Sequence, residues 1–257
     1  MLKTFKIFVF LVLLISLASF SYASDIDFEK RIKVGVIFAQ GSPNTLAKSL
    51  ILYPFLDVST ILIGDGFIGS IDDLDCIVFD LLDSHGDYIS QTVITNELQP
   101  KFEKFLENGG SILFTHDTID NSCDWGSKIE KFVGLTKNFA NPFFYSSLVT
   151  IKENNHPIFS SFFNIDFPAT SSLTVGDTHS TWGELLQGND APALLITFND
   201  NYNPNEYFLI AKETITSKNK KARTAYIASG HTSDITLVEE KLIVNIVVWF
   251  SKKHNIN

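Results

Sequence analysis

Apolar residues run along this chain in alternating short blocks and spaced stripes. Ile32 to Phe38 is a compact apolar run whose Val34 and Val36 favour a strand. Val58 to Ile63 and Cys76 to Leu82 read as second and third strands, and Ser111 to Phe114 as a fourth. Runs with so few polar interruptions are covered on both faces, as in parallel sheets. Between them the spacing changes. Pro43, with Ser42 as cap, predicts a helix to about Tyr53. Leu98, Phe102, Phe105 and Leu106 recur at helical intervals over Asn96 to Glu107, and Asn108-Gly109-Gly110 supplies a left-handed stop. A loop is expected at Gly64, Gly66 and Gly69, and a short helix from about Asp124 to Val133.

Strand and helix thus alternate, which implies an α/β fold with a doubly wound, mainly parallel sheet and helices on both faces. The second half is less regular. Ser147 to Ile151, Ser172 to Val175, Ala193 to Phe198, Tyr207 to Ala211 and Arg223 to Ala228 read as strands, several of them antiparallel. Asn199 to Glu206 and Ser217 to Lys221 read as polar connections. A last helix is expected over Leu237 to Ser251, with Leu242, Val244, Asn245, Val248 and Trp249 laying one face on the sheet.

The N-terminus departs from this plan. Lys3 and Lys6 precede an unbroken apolar run from Ile7 to Ile15, and Ser21-Tyr22-Ala23 places small residues at the cleavage-specifying positions. That is the plan of a secretory signal peptide over residues 1–23, leaving residues 24–257 as one domain that is secreted or held in the lumen of the secretory pathway. The run falls short of the roughly 20 residues a spanning helix needs, so no stable membrane insertion is expected after cleavage. The formal charge is −9, and removing the signal takes away two lysines and no acid. An acidic chain without a basic face is a poor partner for nucleic acid. Cys76 and Cys123 allow one disulfide at most, but Cys76 lies mid-strand and Cys123 in a polar loop, so both are expected as thiols.

In an open parallel sheet, ligands bind beyond the carboxyl ends of the strands. The fourth strand runs into Thr115-His116-Asp117, the strand near Arg223 to Ala228 into Ser229-Gly230-His231, and a middle segment carries Asp177-Thr178-His179. His116, His231, Asp177 and His179, with Asp117, could hold a divalent metal or form an acid–base cluster at neutral pH. No spacing fixes two ligands on one element, so the alternative, loop histidines that only hydrogen-bond locally, stays open. His85, His156 and His254 fall in a loop, a turn and the tail.

Several of these segments resemble, in order, the trehalose-utilisation (ThuA-like) family: Gly109-Gly110-Ser111-Ile112-Leu113-Phe114-Thr115-His116, Trp125, Val133-Gly134, Asn155-His156-Pro157-Ile158, Ala222 to His231, and the closing Asn245 and Trp249. The resemblance implies a flavodoxin-like, class I glutamine amidotransferase-like fold. It also implies that the turn after the fourth strand, where amidotransferases carry a nucleophilic cysteine, here carries Thr115-His116, with Cys123 too far along to replace it. Glutamine hydrolysis is therefore not expected. The family's acidic segment falls near Asp177, where this chain departs from the pattern with Asp177-Thr178-His179-Ser180-Thr181-Trp182. Two functions follow as alternatives: an enzyme or binder of a small polar, carbohydrate-like molecule in a histidine-lined pocket, or an interaction module that has kept the fold without the chemistry.

Overall fold

The computed structural model describes residues 31–39, 44–63, 67–80, 97–119, 130–198, 206–230 and 235–251, with 39, 67–68, 117, 137–146, 177 and 179–182 described as backbone. The expected signal peptide, Ser42 and Pro43, Leu82, His85, Cys123, Trp125, His231 and His254 lie outside these residues.

One ten-stranded sheet organises residues 32–251, in the order β3-β2-β1-β4-β5-β10-β9-β8-β6-β7. Its first half is the parallel array that the apolar runs predict. β1 (Ile32–Ala39) pairs in parallel with β2 (Leu56–Ile63) and with β4 (Cys76–Phe79). β4 pairs in parallel with β5 (Ser111–Thr115), and β5 with β10 (Lys221–Ile227). Every residue of β4 and β5 is buried, which is why these strands read as solid apolar blocks. Cys76 is buried in β4 as a thiol. β3 (Phe67–Ile68) is a two-residue antiparallel edge on β2, within the stretch read as loop.

Helix α1 (Thr45–Leu50) begins later than Pro43, after Asn44 in the left-handed region at φ 52°. Its cap is not a local serine: Asp80, at the end of β4, accepts from the N–H groups of Leu46 and Ala47. Helix α2 (Gln99–Glu107) stops where Asn108-Gly109-Gly110 requires, with Gly109 at φ 88° and the Gly109 and Gly110 amides donating to Leu106 and Phe105. Helix α3 (Leu237–Ser251) has the bounds read from the sequence, but its burial differs. Leu242 to Phe250 are all buried, because α3 lies on the sheet below and under the turn at Pro157–Phe159 above. A helix covered on both sides has no polar face to show.

The second half corrects two strand readings. β6 spans Leu135–Ile151 and β7 spans Ser172–Leu185, far longer than Ser147 to Ile151 and Ser172 to Val175. Asp177-Thr178-His179 therefore lies inside a strand rather than past a strand end. β8 (Ala193–Phe198) matches its expected bounds, and β9 (Leu209–Ile215) runs on past Ala211. The short segment before Gly134 is a 3-10 turn over Glu130–Val133.

β6 cannot be straight. At one end, Gly134 packs so close to Pro192 that a Cβ there would stand 2.8 Å from the proline ring. At the other end, Ile151 pairs with Ile196 and the Lys152 amide donates to the Leu195 carbonyl. Both ends thus sit beside one short stretch, whereas seventeen extended residues would reach roughly 55 Å. The β6–β7 ribbon doubles back on itself. Its break lies where β6 advances from Asn141 to Tyr145 while β7 moves only from Ser180 to His179. Pairing across the ribbon supplies its backbone hydrogen bonds, which any residue type can make, and the register sets Phe139 opposite Trp182 as well as Asn141 opposite Ser180.

Candidate functional site

Parallel register brings the ends of β5 and β10 together. Thr115 pairs with Ile227, so His116 and Ala228 leave the sheet side by side on strands about 5 Å apart. His116 is 3% exposed and sits in the left-handed region at φ 48°. Few residues other than glycine enter that region, and histidine, with asparagine and aspartate, is among those that enter it most readily. The turn around it is tied down: the Thr115 hydroxyl donates to the Phe79 carbonyl at 2.9 Å and the Thr118 hydroxyl to the Thr115 carbonyl at 2.6 Å. A 3-10 turn, His116–Ile119, follows immediately.

β10 leaves the sheet through Ala228-Ser229-Gly230. Gly230 has φ 104°, a turn open only to glycine, just before His231. Ser229 is wholly buried, and its hydroxyl has no hydrogen-bond partner among the described residues. The folded-back ribbon reaches the same place. The Thr178 hydroxyl donates to the Ala228 carbonyl, so the backbone at 177–179 lies against the end of β10. The candidate positions His116, Asp177 and His179 thus share one edge at the level of the backbone, and His231 follows that edge by sequence. Thr178, not singled out by the sequence reading, touches the edge with its side chain. A strand-end carbonyl has a lone pair to spare, but nothing local in the sequence says which hydroxyl will reach it.

Asp80 also ends at this edge. It is 1% exposed, and burial raises its pKa above the ordinary carboxylate value, while the bonds from Leu46 and Ala47 and the charge of Lys48 pull the other way. Its carboxylate occupies the N-terminus of α1, where an anionic ligand would otherwise be favoured. Among the described residues no three His, Cys, Asp or Glu side chains gather to hold a metal.

Two of the motif residues are structural. His156 accepts from the Ile158 amide through Nδ1 and packs on Trp249. Asn245, wholly buried in α3, accepts from the Phe162 and Phe163 amides and donates to the Phe163 carbonyl. Two grooves bordered by described residues lie at the opposite, amino edge. One is lined by Asp72, Asp75, Lys104 and Gly110, the other by Leu106, Phe132, Lys212 and Ile215, and no candidate residue borders either.

A ThuA-like protein from Bacteroides uniformis superposes with a TM-score of 0.52 at 16% identity, covering 88% of this chain and 94% of that one. The chain has the ThuA-like fold. The α/β arrangement expected for it is present, with a parallel first half and a sheet extended by antiparallel strands. The N-terminal domain of mmIFT52 superposes with a TM-score of 0.53 at 11% identity over 87% of this chain and 98% of that one. PurLQS from Thermotoga maritima superposes with a TM-score of 0.50 at 12% identity over 85% and 99%. In sequence, no family model and no curated protein matches the chain. Among the described residues no helix is long and apolar enough to cross a membrane.

Proposed function

We propose that this ThuA-like chain binds a small polar, carbohydrate-like molecule at the carboxyl edge of its sheet, with His116, His231, Asp177 and His179 as the groups that contact it. The observation that carries this reading is His116 itself. It is a buried histidine, at φ 48°, on the turn after a central strand, which puts a titratable residue at the carboxyl edge where open α/β sheets bind their ligands. An amidotransferase would carry its cysteine at this turn; Thr115-His116 stands there instead, so the chemistry proposed is recognition or acid–base work, not thiol attack. A divalent metal held by His231, His179 and Asp177 belongs to the same reading as an alternative way for these residues to act. A second reading, an interaction module without chemistry, is favoured by that same missing nucleophile.

The test is His116→Asn, because asparagine tolerates the left-handed region and keeps the turn. Saturation-transfer NMR against glucose and trehalose, with and without Zn²⁺, should show a signal in the wild type that the variant loses while its unfolding midpoint stays close to wild type. Silence of the wild type toward both sugars would turn the assignment to the interaction module. We also propose that the chain is secreted after cleavage behind Ala23; recovery of intact Met1 from a membrane fraction would overturn this.

A further inference from the structure

Helix α3 opens with a capping box. Thr236 precedes the first helical residue and Glu239 is the third. The Thr236 amide and hydroxyl both donate to Glu239 Oε2, at 2.7 and 2.8 Å, and the Glu239 amide donates back to the Thr236 hydroxyl at 3.3 Å. A carboxylate that only caps a helix has no need to leave water. Glu239 is 0% exposed, and the same Oε2 accepts a further hydrogen bond, at 2.9 Å, from the Gly176 amide of β7, 63 residues earlier. Its other oxygen, Oε1, is buried with no partner among the described residues. Burying a carboxylate is costly, so its retention calls for a gain beyond a cap.

That gain is on β7. Glu239 holds the backbone at Gly176, and two residues on, the Thr178 hydroxyl is held by the Ala228 carbonyl. Asp177 is bracketed between these two pins, at the edge where His116 and Ser229 lie. We propose that Glu239 is a positioning residue. It ties the start of α3 to β7, so that residues 177–179 are kept against the end of β10 to meet a ligand. The proposal rests on the reading of this edge as a binding site. It also fits the ribbon's construction, because β7 loses its regular pairing with β6 beside this point, between the Ser146 and Leu148 pairs. A strand with an irregular partner on one side needs an anchor on the other.

Hydrogen exchange on the full chain separates a strand clamp from a helix cap. Glu239→Ala should raise exchange at least tenfold across residues 174–179 and weaken the saturation-transfer signal with glucose or trehalose. Glu239→Gln, which keeps an oxygen for the three donors, should restore both. Thr236→Ala removes only the helix half of the box, so its effect should stop within the first turn of α3. Should Glu239→Ala fail to fold, Thr178→Val, which removes the second pin alone, should raise exchange over the same segment. If Glu239→Ala and Thr236→Ala gave the same pattern, confined to α3, Glu239 would be a cap and the proposal would fall. Lost protection at β7 with no sugar signal even in the wild type would sink the binding-site reading and leave the clamp standing.

Discussion

His156 stands edge-on to Trp249, with ring centroids 5.0 Å apart and planes inclined at 67°. The indole is also covered by the Arg223 guanidinium, 4.8 Å from its ring, and Arg223 in turn is bonded to Glu213 at 2.7 Å. Burial pushes the His156 pKa down to about 4, helped by the Arg223 charge and opposed by Glu213. The folded state therefore keeps His156 neutral where the unfolded chain, titrating near 6.5, takes up a proton. This contribution to stability is intact at pH 7 and is lost as pH falls from about 6.5 toward about 4. Partial exposure limits it to about 2 kcal/mol or less. Urea unfolding at pH 7 and pH 4.5 checks it: the wild type should lose more stability than His156→Asn, whose side-chain oxygen still accepts from the Ile158 amide.

Asp80 works in the opposite sense. Its pKa is raised in the folded state, so the native chain takes up the proton first and the ionised form costs stability as pH rises through the carboxylate range. Its bonds to the Leu46 and Ala47 amides, at 2.9 and 3.2 Å, are the cap that Asn44 does not supply. Asp80→Ala should cost about 1–2 kcal/mol at neutral pH, as the loss of a helix cap does. The difference from wild type should be larger at pH 4 than at pH 8. Denaturant midpoints at both values decide it; a difference that shrinks with acid would contradict the sign.

These cases show what was legible in the sequence. β1, β4 and β5 were readable because burial on both faces writes itself as an apolar run. The bounds of α3 were readable because its ends are polar and its middle is not. The β6–β7 ribbon was not: Thr136-Lys137-Asn138 and Gly176 to Thr181 carry no apolar run, and only the partner strand makes them extended. Asp80 was hidden for a similar reason, since the amides it caps lie 33 and 34 residues away. The Thr236-x-x-Glu239 pattern is visible as a capping box, but nothing in it says that Gly176 will share the carboxylate. At the sheet edge His116 follows from the end of its strand, whereas Asp177 to His179 lie within β7 and Thr178 was found only by its contact.

Gly109 ends α2 at φ 88°, and a Cβ there would stand 3.1 Å from the Lys220 Cβ. Gly109→Ala should therefore destabilise the chain by about 1–2 kcal/mol, from the left-handed backbone and the crowded β9–β10 hairpin together. Thermal unfolding of the variant tests this. An unchanged midpoint would mean that the hairpin moves aside and the turn re-forms at no cost.

Asn245 is the most demanding of these residues to replace. It is 0% exposed within a helix that is otherwise apolar through its centre. Its Oδ1 accepts from the Phe162 and Phe163 amides at 3.1 and 2.7 Å, and its Nδ2 donates to the Phe163 carbonyl at 2.8 Å. One side chain thus satisfies three backbone groups of a segment with no regular structure. That segment positions aromatic rings: Phe162 lies 4.5 Å from Phe55, and Phe163 lies 6.1 Å from Tyr53, centroid to centroid. Tyr53 in turn donates to Glu240 on α3, which closes the contact back onto the helix. Asn245→Ala leaves two amides and a carbonyl without partners, each bond contributing about 1 kcal/mol and each stranded group costing more. The expected loss is about 3–4 kcal/mol, a large share of the 5–15 kcal/mol that holds a typical domain. Asn245→Asp isolates the donor: both accepting bonds survive, but an oxygen then faces the Phe163 carbonyl and a charge is buried, so it should not rescue. Urea unfolding measures the loss, and near-UV circular dichroism reports whether the rings around Tyr53 have loosened. A cost below about 1 kcal/mol with unchanged near-UV signal would mean that water replaces the amide and that the staple is dispensable.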